Sequence, residues 1–249
     1  MAVRPHALDR LLRPVHRWVW DDAHRRGQKL LRFGLTEADG GRDLSRAAEL
    51  TSDALLRRLY LRHALDEQRH ANLFRQRGRA ILAALPEGSQ APTFQANMFA
   101  PGERGLDDLR VESEKDASLL AFLHLSEKAA AQRFAVYHEV LAAVDPPTRD
   151  VFADILRDEA FHMNYTYAQL KRVSPKRHGF RLWTARLSRL WKGYLRIATA
   201  IANVMGGVIL TLQYFIVLPI FAFMAKRAAR RLRSGWTKPR DESLLSSQY

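Results

Sequence analysis

Four glutamates and two histidines stand at spacings that suit a buried metal site. A Glu-x-x-His motif occurs twice, once as Glu67 with His70 and once as Glu159 with His162. Residues three apart share one face of a helix, so each motif presents a carboxylate and an imidazole together. A further glutamate precedes each motif, by 30 and by 32 residues, and these two are Glu37 and Glu127. The six side chains are therefore predicted to bind metal ions.

The types of these side chains limit the metal that they would bind. Four carboxylates that converge in a protein interior repel one another, unless most are protonated or cations lie between them. Two divalent cations would balance four carboxylates, and two neutral imidazoles would complete the coordination. The chain has no cysteine, which excludes thiolate ligands, disulfides and cysteine nucleophiles. The number and type of these ligands suit two ions of iron or manganese, or a mixed pair.

Four polar residues beside these six are predicted to support the ligands rather than to bind metal. Asp66 and Asp158 directly precede the motif glutamates. A carboxylate in such a position commonly accepts a hydrogen bond from the outer N–H of a ligand histidine. His63 and His124 lie on the same helix faces, and we interpret them as core histidines or as neighbours of the ligands.

Two tyrosines and one further glutamate complete the candidate residues. Tyr60 and Tyr165 are predicted near the metals as candidate catalytic residues, where a phenol can relay an electron. Packing or hydrogen bonding is the commoner role of such tyrosines. Glu49 competes with Glu37 as a ligand, because Gly40-Gly41 disturbs the helix just after Glu37. We prefer Glu37, because it occupies the matching place in an internal repeat.

Helical periodicity dominates residues 6–172 and predicts an all-α fold. The expected helices span residues 6–38, with a continuation over 44–50 beyond the loosening Gly40-Gly41, then 54–85, 106–144 and 146–173. Residues 86–105 contain three prolines and are predicted to form a loop. A connection of this length suits the long crossover that some four-helix bundles need between helices 2 and 3.

Residues 36–70 and 126–162 form an internal repeat. Each copy begins with a hydroxyl residue and Glu, reaches an Asp before a helix start and ends in Asp-Glu-x-x-His. One copy is two helices long, so two copies supply the four helices of a bundle. Each of the four helices then places one glutamate on the face that should be buried.

The paired Glu…Asp-Glu-x-x-His pattern resembles the ferritin-like superfamily, and it is most similar to rubrerythrin-type domains and di-iron oxidases. The resemblance covers about residues 10–172. It implies a ferritin-like four-helix bundle and dioxygen or peroxide as the reactant. It also implies that the iron ligands are Glu37, Glu67, His70, Glu127, Glu159 and His162. The chain departs from rubrerythrins because it has no cysteine-ligated rubredoxin module, so its electrons must come from an unknown donor.

The positive charge of the chain lies in its last third, around an apolar run. Residues 1–170 hold 24 Lys and Arg against 24 Asp and Glu, whereas residues 171–249 hold 16 against two. Residues 197–225 carry no charge over 29 positions, and ~20 residues are enough for a helix to cross a bilayer. We favour a single transmembrane helix over a re-entrant hairpin bent near Gly206-Gly207 or Pro219, and over a buried core helix.

The flanks of this run predict a lipid bilayer as partner. Residues 171–196 are basic and amphipathic and residues 226–233 are again basic, which suits anionic lipid, whereas the neutral bundle disfavours nucleic acid. A signal-peptide pattern is not evident, so the bundle is expected on the cytoplasmic side of the membrane. The expected domains are the metal-binding bundle, a basic juxtamembrane segment, a transmembrane or re-entrant helix and a basic polar tail, over residues 1–173, 174–196, 197–225 and 226–249.

Three functions are compatible with these features. The leading hypothesis is a membrane-anchored di-iron oxidoreductase that uses dioxygen or peroxide, on a hydrophobic substrate such as a lipid, quinone or hydrocarbon. The second is iron oxidation or peroxide reduction at the membrane, without an organic substrate. The third is a non-catalytic membrane adaptor, whose bundle holds a structural metal or none. The sequence leaves a homodimer open as the assembly.

Overall fold

The computed structural model describes residues 5, 7–86 and 115–231, and their regular structure is entirely helical. The helices are α1 (Ala7–Leu11), α2 (Arg13–Asp21), α3 (Ala23–Leu50), α4 (Ala54–Ala83), α5 (Asp116–Val144), α6 (Pro146–Val173), α7 (His178–Leu212), a π-helical turn (Gln213–Val217) and α8 (Leu218–Arg231). The chain divides into two compact units, Met1–Tyr194 and Leu195–Tyr249. The predicted all-α class is confirmed for the described residues.

The first predicted helix is divided in the structure, and the break comes earlier than expected. α2 ends at Asp21, and the side chain of Asp22 caps α3 by accepting a hydrogen bond from the Arg25 amide at 2.7 Å. α3 then continues to Leu50 through Gly40-Gly41, where the sequence predicted a loosened helix. A capping aspartate separates α2 from α3, whereas packing against α4 keeps α3 helical through its glycines.

α3 and α4 lie antiparallel with their backbones in close contact. Small residues recur at every seventh position of both helices and meet in pairs, which are Gly27 with Gly78, Gly34 with Ala71 and Gly41 with Ala64. A Cβ atom at Gly34 would stand 3.0 Å from the carbonyl oxygen of Ala71. The glycines are therefore needed for the approach of the two backbones. We call these pairs the glycine seam. The seam brings Glu37 of α3 beside the Glu-x-x-His motif of α4.

Capping aspartates also fix where α4 and α6 begin. The side chain of Asp53 accepts hydrogen bonds from two backbone amides of α4, and Asp145 accepts one from the Thr148 amide in α6. The observed α4 and α6 agree with the predicted helices to within about two residues. Most of the predicted crossover and the predicted start of the third helix at Leu106 lie in residues 87–114, outside the described part of the chain.

Two hydrophobic cores lie among α3, α4, α5 and α6, and single residues of α2 and α7 add to them. The leucine-rich core includes Leu44, Leu56, Tyr60, Leu120 and Leu170. The aromatic core includes Trp20, Phe74, Phe134, Tyr137 and Phe152. In each of the four helices, the predicted ligands fall between residues of one core and residues of the other. They form a polar layer with apolar packing on both sides, and its members are Glu37, Glu67, His70, Glu127, Glu159 and His162.

The first part of α7 packs along α5. Arg181 donates a hydrogen bond to Ser118 Oγ at 3.0 Å, and Arg189 donates one to Ser126 Oγ. In each pair the two residues are 63 positions apart in the sequence, so the first part of α7 runs parallel to α5. Within the predicted juxtamembrane segment 174–196, the face that carries Arg181 and Arg189 therefore contacts α5.

The second unit is helical throughout its described part. The π-helical turn Gln213–Val217 comes just before Pro219, whose missing N–H removes one hydrogen bond of a regular helix. Gly206-Gly207 lies within α7 without a break. By length and composition, the helical stretch His178–Arg230 is long and apolar enough to cross a membrane. None of its 18-residue apolar window is buried inside the described structure.

Candidate metal centre

The six predicted ligands meet in two overlapping groups of potential ligand atoms. One group contains His63, Glu67, Glu127 and His162, and the other contains Glu37, Glu67, His70 and Glu159. Within each group the ligand atoms lie within 4.8 Å of one another, and Glu67 belongs to both. The residues are buried, except that Glu37 is partly exposed while its carboxyl group is enclosed by protein. These buried groups can hold a metal ion.

Three polar atoms of the layer have no hydrogen-bond partner in the described part of the protein. They are His70 Nδ1, His162 Nδ1 and Glu159 Oε2. His70 Nδ1 lies 3.7 Å from Glu159 Oε1, and His162 Nδ1 lies 3.7 Å from Glu67 Oε1. These distances are too long for good hydrogen bonds, but they suit pairs of atoms that bind one cation. Because buried polar atoms normally have partners, their position indicates a site for a cation.

The outer nitrogens of the two motif histidines are held by the aspartates that precede the motif glutamates. His70 Nε2 donates a hydrogen bond to Asp158 Oδ2 at 3.1 Å, and His162 Nε2 donates one to Asp66 Oδ2 at 3.1 Å. The two bonds run crosswise, since each aspartate holds the histidine of the other motif. An ionised aspartate only accepts, so each imidazole carries its proton on Nε2 and its lone pair on Nδ1. Arg69 forms an ion pair with Asp158 in turn.

The carboxyl groups of the polar layer lie close together in pairs. Glu37 lies beside Glu67, and Glu159 lies beside Glu127. Burial, together with the repulsion of neighbouring carboxylates, raises the pKa of Glu37 and of Glu159 well above the ordinary value. Burial also raises the pKa of Glu67 and lowers the pKa of both motif histidines, so these imidazoles are neutral at pH 7. Protons thus reduce the negative charge of the layer, and divalent cations would replace them.

His63 lies closer to the centre than the sequence predicted. Its Nε2 is 2.9 Å from Glu67 Oε1 and 3.6 Å from Glu127 Oε1, and its ring stacks on His162 with centroids 3.6 Å apart. The Tyr165 hydroxyl is 2.7 Å from Nδ1 of the same ring. The signal in the sequence is the spacing His63-x-x-x-Glu67-x-x-His70, which places all three side chains on one helix face.

Three other candidate residues make their polar contacts away from both groups of ligand atoms. The Tyr60 hydroxyl is directed to the start of α5, where it lies 3.5 Å from Asp116 Oδ1. His124 Nδ1 donates a hydrogen bond to the carbonyl oxygen of Met163 at 3.0 Å. Glu49 is exposed over 65% of its side chain and forms an ion pair on its own helix. Of the two candidate glutamates in α3, Glu37 therefore lies in the polar layer and Glu49 does not.

Comparison with known proteins assigns no family to the chain. No protein-family model, no curated protein and no solved structure matches it. Its function is therefore inferred from the buried Glu and His groups and from the apolar C-terminal helix.

Proposed function

We propose that the protein is a membrane-anchored di-iron oxidoreductase in which α3, α4, α5 and α6 form a ferritin-like four-helix bundle. The observation that carries the proposal is the polar layer, where two buried groups of Glu and His share Glu67. A helix pair that occurs twice in the sequence supplies these residues. The long connection between α4 and α5 suits the crossover of such a bundle.

Iron suits the residues of the layer. Each group offers carboxylate oxygens and imidazole nitrogens, and the chain has no thiolate to add to them. The unpartnered Nδ1 atoms of His70 and His162 face the carboxylates, so both imidazoles already have the tautomer that binds a metal. Glu67 would contact both cations, because it belongs to both groups. Manganese, alone or with one iron, suits the same residues and is distinguished by metal analysis.

Two iron ions in this layer would supply the electrons that reduce dioxygen or peroxide. The surrounding residues would orient the ligands and exclude water. Asp66 and Asp158 fix the imidazole rings, and the two hydrophobic cores close the layer on both sides. Tyr165 holds a proton at its hydroxyl, 2.7 Å from His63 Nδ1, and is the better placed of the two tyrosines for relaying charge. Tyr60 would act only from a greater distance, because its hydroxyl contacts α5.

The exposed apolar helix supports anchoring in a membrane. Its apolar window is unburied, and basic residues flank both of its ends, where they can contact the headgroups of anionic lipid. A protein at the membrane has direct access to substrates that dissolve there, such as a lipid, a quinone or a hydrocarbon. The electrons would come from a separate donor, because the chain has no cysteine for an iron–sulfur or rubredoxin site.

The test is metal content and dioxygen consumption of the full chain purified in lipid nanodiscs. We expect two iron ions per chain, and dioxygen uptake that depends on a lipid-soluble substrate. Glu159→Gln removes a buried carboxylate of the layer and should abolish both, whereas Glu49→Gln changes an exposed glutamate and should leave both unchanged. Full iron content and activity in Glu159→Gln or in Glu67→Ala would refute the proposal.

The same preparation separates the other two functions. Rapid oxidation of added ferrous iron, or rapid loss of peroxide, without any organic substrate would favour a ferroxidase or peroxidase at the membrane. Metal-free protein whose melting temperature does not change when iron or manganese is added would favour a non-catalytic membrane adaptor. Stopped-flow absorbance and thermal unfolding measure these two outcomes.

A further inference from the structure

Helices α1 and α2 are bound to α5 by one face and leave an apolar face exposed. On the bound side, Trp20 is fully buried and the ring of His16 packs edge-on against Tyr137, with centroids 5.2 Å apart. On the free side, three apolar residues at helical spacing are 75%, 54% and 58% exposed, and these are Leu11, Val15 and Trp18. Three large apolar side chains on one exposed face are a candidate interaction surface.

Basic residues surround this exposed face. Arg10, Arg13 and Arg17 recur every three or four positions beside it, and all three are exposed. The guanidinium of Arg25 stacks on the Trp18 ring, 4.1 Å from its centroid. A short helix with aromatic and aliphatic residues on one side and arginines beside them is typical of helices that lie in the interface of an anionic membrane.

α1, α2 and the first part of α7 all contact α5 within the first unit. Asp9 pairs with Arg133 of α5 at 3.7 Å, and Arg13 pairs with Glu139 at 3.6 Å. α7 advances along α5 toward these residues, since its contacts move from Ser118 to Ser126 at a constant separation of 63. The stacked and exposed rings of Trp191 and Tyr194 follow on α7 in the same direction.

We propose that the exposed face of α1 and α2 lies in the headgroup region of an anionic lipid bilayer, as a second membrane contact. Leu11, Val15 and Trp18 would enter the boundary of the acyl chains, and Arg10 and Arg17 would contact lipid phosphates. A second copy of the chain fits this face less well, because a self-complementary contact would bring its arginines together. The proposal rests on the membrane anchoring proposed above.

The natural lack of cysteine makes the test direct, because a single introduced cysteine is a unique labelling site. Leu11→Cys and Leu65→Cys are a matched pair, since the two leucines are 75% and 72% exposed and Leu65 lies on α4. Each variant is labelled with an environment-sensitive fluorophore and placed in nanodiscs of phosphatidylcholine and phosphatidylglycerol. A fraction of the lipid carries a nitroxide quencher, which is near the headgroup for the labels at Leu11 and Leu65 and on the acyl chain for the label at Ile209. Ile209→Cys, in the apolar run, reports the anchor itself.

We expect the label at Leu11 to be quenched about threefold more strongly than the label at Leu65, because an interfacial helix is buried ~5–10 Å into the headgroup and acyl boundary. Quenching at Leu11 should weaken in discs of phosphatidylcholine alone. Equal quenching at Leu11 and Leu65, with strong quenching at Ile209, would overturn this inference and leave the anchor intact. No quenching at Ile209 would refute the anchor and this inference together. Lipid-independent cross-linking between Leu11→Cys chains would assign the face to a second copy instead.

Discussion

Two buried polar clusters of the first unit differ in how their charges are balanced. In the cluster around Asp145, both carboxylate oxygens bind the Arg77 guanidinium at 2.7 and 2.9 Å, and the Thr148 hydroxyl donates to one of them at 2.6 Å. Arg26 approaches the same carboxylate at 3.0 Å. In the polar layer, four carboxyl groups lie close to one another and to three neutral imidazoles, those of His63, His70 and His162, and among the described residues no ion pair joins these carboxyl groups to an arginine or lysine.

The difference is visible in the acidity of the carboxyl groups. Burial alone would raise the pKa of Asp145, but hydrogen bonds from Thr148 and Arg77 lower it below the ordinary value. Burial and repulsion raise the pKa of Glu37 and of Glu159. A buried cluster with its own cations is complete within the chain and stabilises the fold. A buried cluster of like charges with unpartnered nitrogens is incomplete, and this distinguishes a binding site from a structural one.

The largest expected difference between the two clusters is in the effect of added metal on the free energy of unfolding. Addition of ferrous iron to the metal-free chain is expected to raise the free energy of unfolding by about 4 kcal/mol per site when free iron is roughly 1,000 times its dissociation constant. Glu159→Gln should remove most of this gain, because the layer loses a carboxylate ligand. Thermal unfolding with and without iron measures the effect. An unchanged melting temperature in the native chain would contradict metal binding by the polar layer.

Asp145→Asn should destabilise the protein without changing its response to metal. The substitution leaves Arg77 and Arg26 without their carboxylate in a largely buried position, so a loss of about 3 kcal/mol is expected. The increase in stability on adding iron should stay the same as in the native chain. Denaturant unfolding gives both quantities, and a lost iron response would mean that the two clusters are not independent.

The neighbouring glycines of α3 provide a matched test of the glycine seam. A Cβ at Gly41 would lie 3.2 Å from the Ala64 carbonyl oxygen and 3.4 Å from Glu67 Cβ, whereas one at Gly40 meets nothing within 4 Å. Gly41→Ala should cost about 2 kcal/mol and weaken iron binding about tenfold, because it shifts Glu67. Gly40→Ala should stabilise the helix by about 0.5–1 kcal/mol. Equal effects of the two substitutions would refute close packing at Gly41.

The metal-free protein should become less stable as pH rises above 7. In this range an unfolded glutamate is ionised, whereas in the fold burial raises the pKa of Glu67 to about 8 and also raises the pKa of Glu37 and of Glu159. The folded state therefore binds more protons, and each retained proton lowers stability by about 1.4 kcal/mol per pH unit until the folded pKa is passed. Glu159→Gln should reduce this slope in denaturant unfolding at pH 7 to 9, and the exposed Glu49→Gln should not.

The sequence predicted the helices from helical periodicity, and it predicted the residues of the layer from the spacing of Glu and His within a repeat. The bounds of α6 follow from the first pattern, and the convergence of Glu67 with Glu159 follows from the second. Distances between side chains across the interior do not follow from spacing in the sequence. The close approach of His63 to Glu67 was therefore missed, although the two residues stand four positions apart on one helix. The glycines of α3 were interpreted from helix propensity alone, whereas in the structure a partner helix decides their effect. The capping of α3 by Asp22 and the packing of α7 on α5 also depend on geometry that a single helix does not specify.

The hydrogen bonds His70–Asp158 and His162–Asp66 join α4 to α6, and they couple the folding of the two helical hairpins to metal binding. Each motif aspartate orients the imidazole of the opposite repeat, so neither half of the repeat can arrange its own histidine by itself. Association of the two helical hairpins and orientation of the two rings are then a single event in folding. Both rings would therefore be oriented only after the two hairpins have associated, so metal binding would depend on folding of the whole bundle.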